Sequence, residues 1–363
     1  YIDEKDTMLS VLPIHHTYEC TCGFLCPVYK GLAVAYSEGL RHIPDNMREA
    51  RPTILLAVPL LFERFHDRIW EQAGKHKGKK TKLRIGIKLS NFLRIFGIDV
   101  TRSLFKEIHD TFGGRLRLMI SGAAAIDPKV SKFFRSIGVL FLQGYGLTEC
   151  SPIAALNTDT KFRDRSAGLK LSCNEVEVRG KGADGIGEVC VKGGNVMMGY
   201  HEDPETTAKV MEDGWFRTGD MGYLDRNGFL YLTGRKKNVI VTKNGKNVYP
   251  EEIESLLAGG GLVKECVVYA KDSEDGEDTI IAAEIVVEPE EAEKAFGKGW
   301  KVGDAALADA VKAHIKEVNK RLPTYKRVKD FDLTDKEFEK TTTKKVKRHL
   351  VSVLKDSIKG FGK

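Results

Sequence analysis

The chain has no hydrophobic run long enough to cross a bilayer. Its longest apolar stretch, Ile54–Leu61, is interrupted by Pro59 and falls well short of the roughly 20 residues a spanning helix needs. Cysteine is sparse, with seven in 363 residues and no paired spacing. That excludes a disulfide-stapled secreted scaffold and points to a reducing, cytoplasmic setting. Cys20, Cys22 and Cys26 lie beside His15 and His16 but fit no usual zinc spacing, so they read as buried thiols in a helical segment. No G-x-x-x-x-G-K-[ST] loop is present, which removes the commonest phosphate cradle. Gly180-Lys181-Gly182-Ala183-Asp184-Gly185 fits G-x-G-x-x-G, but strand-like Gly187–Lys192 follows it, whereas a dinucleotide fingerprint opens a helix. Charge of one sign is not extreme. Lys and Arg total 58 against 51 Asp and Glu, a net +7 that suits anionic ligands without arguing for nucleic acid. The basic run Lys75–Arg84 lacks interleaved aromatics and reads as a solvated loop.

What is present is ordinary for a globular chain: 42% hydrophobic and 30% charged residues, long enough for two to three domains. Short apolar runs at Met8–Leu12, Leu32–Tyr36, Thr53–Val58, Leu116–Ser121 and Val139–Leu142 alternate with helical patterns. Alternation of that kind predicts a parallel, helix-covered sheet. Asp127-Pro128 predicts a cap and first turn of a helix. After Ser166 the pattern becomes glycine-punctuated and alternating, at Asn174–Arg179 and Gly187–Lys192, which predicts antiparallel β structure. Beyond about residue 236, strands near Val263–Ala270 and Thr279–Val287 and a helix from about Asp304 to Lys320 predict a small α+β domain. The fold class is therefore α/β, with a mixed or parallel sheet and an antiparallel β subdomain, followed by a small α+β domain. The expected boundaries are 1–235 (1–165 α/β, 166–235 β-rich) and 236–363.

The segment Gly214–Glu254 organises this reading. Two apolar pairs turn at Asp225-Arg226-Asn227-Gly228 and at Asn244-Gly245, both hairpin signals because Asn and Gly tolerate positive φ. Pro250 then opens a helix with Glu251 and Glu252 in its first turn. Between the hairpins lies the polar joint Gly234-Arg235-Lys236-Lys237-Asn238.

Thr218-Gly219-Asp220, a strand pair, Thr233-Gly234-Arg235-Lys236-Lys237-Asn238, then Asn-Gly and a helix resemble the adenylate-forming superfamily. The wording of the chain is most similar to the long-chain fatty acid–CoA ligases, from about Ser10 to Arg348. The resemblance implies an ATP-dependent ligase that activates a carboxylate as acyl-AMP and passes it to the CoA thiol. Its substrates would be ATP, a fatty acid and CoA, with Mg²⁺ as cofactor. No nucleic acid or transmembrane segment is expected, while peripheral membrane contact is compatible with a fatty substrate. The family's phosphate loop would lie upstream of Leu12-Pro13, so the chain is expected to lack the front part of the family pattern. An aryl- or other carboxylate–CoA or carrier-protein ligase, and a nucleotide-binding fragment inactive by itself, are the competing readings.

The candidate site residues follow. Gln143-Gly144-Tyr145-Gly146-Leu147-Thr148-Glu149 follows a buried strand at its carboxyl end, where ligands sit in open α/β sheets. Glycines let backbone approach a planar base and Tyr145 offers an aromatic face. Thr148 offers a hydroxyl to phosphate and Glu149 a hard oxygen for Mg²⁺. The bland alternative is a strand-end turn with a capping Thr and a solvated Glu. By resemblance, Gly122, Ala123 and Ala124 contact adenine, Asp220 accepts the ribose hydroxyls, and Arg235 meets ribose and phosphate oxygens. His16 lies near the acyl and pantetheine path, and Gly245 admits the CoA arm after the C-terminal domain turns about Lys236-Lys237. Lys345 stands at the family's catalytic lysine, with Thr148 and Glu149 completing the catalytic group. A positioned ammonium would stabilise charge developing as carboxylate attacks phosphate. Lys344 replaces the glycine expected before it and restricts that backbone.

Overall fold

In the computed structural model, residues 2–258, 260–273, 278–340 and 346–351 are described, His349 by its backbone only. Contacts divide the chain into two units: residues 1–218 with 222–232, and 219–221 with 233–363.

The first unit begins with five parallel strands, β1 (Thr7–Ser10), β2 (Ala33–Tyr36), β3 (Ile54–Ala57), β4 (Leu118–Ser121) and β5 (Leu140–Gly146). Two antiparallel strands extend the sheet, β6 (Ile153–Leu156) and β7 (Leu169–Lys170), giving the order β2-β1-β3-β4-β5-β6-β7. The unbroken apolar run of β3 follows from burial on both faces. Leu55 and Ala57 join a core with Leu9, Met119 and Phe141, while Ile54 and Leu56 join another with Met8, Leu118 and Leu142. Helices Pro59–Gly74 and Pro128–Ser136 carry Phe62, Phe133 and Phe134 into the first core. Asp127 caps the latter, its Oδ1 accepting from the Lys129 amide at 2.8 Å. This arrangement bears out the expected fold class.

A second sheet is built from β8 (Asn174–Arg179), β9 (Gly187–Gly193), β10 (Met211–Glu212), β11 (Trp215–Leu224) and β12 (Leu230–Arg235), in the order β10-β11-β9-β8 with β12 against β11. The Asp225–Gly228 turn forms as expected: Asp225 Oδ1 accepts from the amides of Asn227 and Phe229, and Gly228 has φ 80°.

In the second unit, a short hairpin of β13 (Ile240–Val241) and β14 (Asn247–Val248) precedes helix Pro250–Leu257. Strands β15 (Val263–Asp272), β16 (Thr279–Val287) and β17 (Val328–Thr334) form a sheet, antiparallel then parallel. Helix Ala305–Asn319 buries Leu307, Val311, Ile315 and Val318 against it, a helical spacing on one face.

Three sequence expectations need correction. The run Lys75–Arg84 is a loop only at its start, because helix Lys79–Ile95 begins inside it. Lysine is a good helix former, and Gly78, at φ 83°, breaks only the turn before it. The strand expected to end at Leu142 runs on to Gly146. The cysteines near His15 do lie in helical backbone, π-helical from Glu19 to Leu25 and then α-helical to Lys30. However, Cys20 and Cys22 are half-buried and Cys26 is exposed. Among the described residues no cluster of His, Cys, Asp or Glu could hold a metal, and no helix is long and apolar enough to cross a membrane.

Candidate functional site

The parallel strands bring their carboxyl ends to one edge. Ala57, Ser121 and Gln143 stand in one row across β3, β4 and β5. Two expected segments therefore begin side by side: Gly122-Ala123-Ala124 directly after β4, and Gln143–Gly146 within the end of β5.

Gly122 is buried, and Ala123 and Ala124 are exposed. Ala123 adopts φ 74°, which turns the backbone sharply. A Cβ on Gly122 would sit 2.9 Å from Tyr18 Cζ, so the tyrosine ring packs directly against the glycine. Tyr18 also donates its hydroxyl to the Ile120 carbonyl at 3.1 Å. The segment after β1 is thus pinned to the turn after β4.

Gln143 is buried and donates its amide to the Asp164 carbonyl at 2.7 Å. Its own carbonyl accepts from the Asn157 backbone and side chain, at 3.0 and 3.1 Å. Asp164 in turn binds Arg135 and Ser131, so Gln143 is held in a fixed polar frame. Gly144 and Gly146 are glycines for space. A Cβ on Gly146 would lie 1.9 Å from the Pro152 carbonyl oxygen, and one on Gly144 would lie 3.0 Å from that of Ala155. Close approach of β6 forbids any side chain here. Tyr145 is only 8% exposed and joins an apolar cluster with Cys150, Ala155 and Leu230. Thr148 is exposed and Glu149 half-buried, on a 3-10 turn. Tyr200 donates its hydroxyl to Glu149 Oε1 at 3.0 Å, and burial together with this carboxylate raises the tyrosine pKa. Sequence reasoning missed that partner, which lies 51 residues away.

His16 lies beside His15, ring centroids 4.4 Å apart. Burial, then the neighbouring ring, lowers its pKa, and its buried Nε2 has no hydrogen-bond partner. Glu19, also missed, is 1% exposed and accepts from Ser10 Oγ at 2.5 Å, at the end of β1. Burial raises its pKa, and the Ser10 bond only partly opposes this. Its signal was a carboxylate inside an apolar helical run.

In the second unit, Asp220 and Arg235 come together, with Arg235 Nε 2.9 Å from Asp220 Oδ1. The carboxylate is 12% and the guanidinium 43% exposed. Gly245 is exposed at φ 68°, and a Cβ added to it would meet nothing within 4 Å, as at a hairpin tip. Lys344 and Lys345 lie outside the described residues. Arg348, three positions on, donates to Glu254 Oε1 at 2.5 Å and to the Val268 carbonyl at 2.8 Å.

Solved structures that share this architecture include two CoA ligases. An anthranilate CoA ligase in complex with anthranoyl-AMP superimposes with TM-score 0.69 at 20% identity, over 98% of this chain and 60% of its own. An o-succinylbenzoate CoA synthetase from Bacillus subtilis, in complex with ATP and magnesium ion, gives 0.69 at 22%, over 96% and 62%. Residues 1–201 match the family described as AMP-binding enzyme, and residues 237–359 match the AMP-binding enzyme C-terminal domain. The chain belongs to the AMP-binding enzyme family of the adenylate-forming superfamily. Long-chain-fatty-acid–CoA ligase 1 of Homo sapiens is 34% identical over 287 residues, 73% of this chain and 40% of that protein. Long-chain-fatty-acid–CoA ligase FadD15 of Mycobacterium tuberculosis is 28% identical over 96% of this chain and 60% of its own length. The chain spans about two to three fifths of the curated relatives it matches.

Proposed function

We propose that the chain carries the adenine-, ribose- and CoA-handling parts of an ATP-dependent fatty acid–CoA ligase. In its first step a carboxylate oxygen attacks the α-phosphorus of ATP, forming the acyl-phosphate bond as pyrophosphate leaves with the bonding pair. In the second, the CoA sulfur attacks the acyl carbon, its proton passes to solvent, and AMP leaves. The observation that carries the fatty substrate is the similarity to long-chain ligases, a third identical over nearly three quarters of this chain.

Gly122, Ala123 and Ala124, with Gln143, Gly144, Tyr145 and Gly146, would receive adenine at the strand ends. The Asp220 carboxylate would accept the ribose hydroxyls, and Arg235 would meet ribose and phosphate oxygens. Thr148, exposed next to Glu149, would donate to phosphate, and Lys345 would stabilise the charge that develops there. His16 would border the acyl path, and Gly245 would let the CoA arm pass. The domain boundary we propose is at residues 235/236, with 236–363 the small mobile C-terminal domain.

Magnesium fits this donor set. Glu149 offers a single carboxylate oriented by Tyr200, and Mg²⁺ is usually held by one or two carboxylates with substrate phosphates. When bound, it would neutralise phosphate charge.

Pyrophosphate release by the 363-residue chain, over fatty acids of several lengths and a set of aryl acids, tests the reading. Long-chain acids should turn over fastest; a preference for aryl acids would overturn it. AMP binding by calorimetry, without turnover, would favour a nucleotide-holding role alone.

A further inference from the structure

Helix Lys79–Ile95 packs on the first unit by one side only. Gly86 and Ser90 are buried and Leu83, Ile87 and Leu93 half-buried. The opposite side carries Ile85, Leu89, Phe92 and, just past its end, Phe96, exposed by 59, 47, 57 and 65%. At about 100° per residue these four fall within an arc of roughly 60°. Phe92 and Phe96 meet edge to face, centroids 5.2 Å apart. The stripe runs about 16 Å along the helix, and exposed Ile95 widens it. Exposed Lys82 and Lys88 flank it on either side. From Gln72 to Ile98 the sequence holds six lysines and two arginines and no aspartate or glutamate.

A contiguous apolar stripe flanked by Lys82 and Lys88 has a specific complement. The complement must satisfy the charges and the rings together. An anionic bilayer surface satisfies both, because phosphate headgroups lie above a hydrocarbon boundary that accepts the rings. Nucleic acid would leave the stripe wet. The helix is neither long nor apolar enough to span, so it would lie in the interface plane. We propose that this face docks the protein reversibly on anionic phospholipid. The proposal is independent of the catalytic reading, since docking requires neither ATP nor acyl transfer.

The test is sedimentation of the 363-residue chain with vesicles of phosphatidylcholine alone, or of phosphatidylcholine mixed with phosphatidylglycerol, in about 100 mM salt. Binding is expected only with phosphatidylglycerol present, and should weaken as salt rises. The double substitution Phe92→Ser and Phe96→Ser should weaken it about tenfold or more. Lys82→Glu with Lys88→Glu should do so to a similar degree. These side chains are exposed, so the fold should survive, and circular dichroism checks it. Phe92→Trp should add a blue-shifted emission component on phosphatidylglycerol vesicles. Failure to bind them, or binding unchanged by loss of both phenylalanines, would overturn the proposal. So would ultracentrifugation showing that this face joins two copies of the chain while vesicle binding is untouched by its substitution.

Discussion

Arg235 Nε stands 2.9 Å from Asp220 Oδ1, joining the end of β12 to the middle of β11. A carboxylate already held in place recognises neighbouring hydroxyls at low ordering cost. Asp220→Ala should weaken AMP binding by about 1.5–3 kcal/mol, roughly ten- to a hundredfold. Arg235→Ala should weaken it as well, by less for adenosine than for AMP. Calorimetric titration of both nucleotides checks this; unchanged AMP affinity in Asp220→Ala removes the ribose assignment.

Lys345 is expected to serve the first half-reaction only. Lys345→Ala should lower pyrophosphate release by two or more orders of magnitude, as loss of an electrostatic stabiliser does. Thiolation of supplied acyl-AMP should persist. Equal loss in both steps would show that the lysine is not specific to adenylation.

Arg348 pairs with Glu254, and both are largely buried. Burial raises the Glu254 pKa even against the Arg348 charge. Removing the cation would strand a carboxylate in that site. Arg348→Ala should therefore destabilise the second unit by about 3 kcal/mol, with Glu254→Gln restoring part of the loss in the double variant. Urea unfolding of the single and double variants gives the coupling. Simple additivity would mean the pair is not energetically linked.

Asp6 ties three strands where they enter the sheet. It accepts from Thr53 Oγ1 at 2.6 Å and from Arg117 Nη2 at 2.5 Å. Burial pushes its pKa up, but the Arg117 and Thr53 bonds outweigh this and hold it below the ordinary value. A depressed carboxylate stabilises the fold fully above its unfolded pKa, about 3.9, and stops doing so as pH falls through its lower folded value. Asp6→Asn should cost about 2–3 kcal/mol at pH 7, and the two urea midpoints should converge only in acid below pH 4 or so. Convergence nearer neutrality would assign the effect elsewhere.

Much of the fold was legible because local signals agreed with the tertiary ones. The apolar runs of β1 and β3, the Asp127 cap and the Asn-Gly turns each have a physical cause that a few residues carry. Other features depended on distant neighbours. β5 continues through Gly144 and Gly146 because the β6 backbone approaches so closely, yet glycine alone reads as a turn. β17 is a charged sequence, Val-Lys-Asp-Phe-Asp-Leu-Thr, that forms a strand by pairing in parallel with β16. Helix Lys79–Ile95 was half hidden by its lysines. Of the candidate site, the placement of Gly122-Ala123-Ala124 after one strand and of Gln143–Gly146 at the carboxyl end of the next was readable from motif order, whereas the neighbouring of β4 and β5 and the ion pair between Asp220 and Arg235 were not. The Tyr200 contact to Glu149 and the burial of Glu19 and Tyr145 were not, since no spacing encodes them.

The Tyr18 ring packed against Gly122 makes two distant positions share one volume. A larger residue at 122 has nowhere to go unless residue 18 becomes smaller. Gly122→Ala should thus be better tolerated alongside Tyr18→Leu than alone. Through that exchange, the segment bearing the paired histidines and the turn proposed to meet the base are bound to change together.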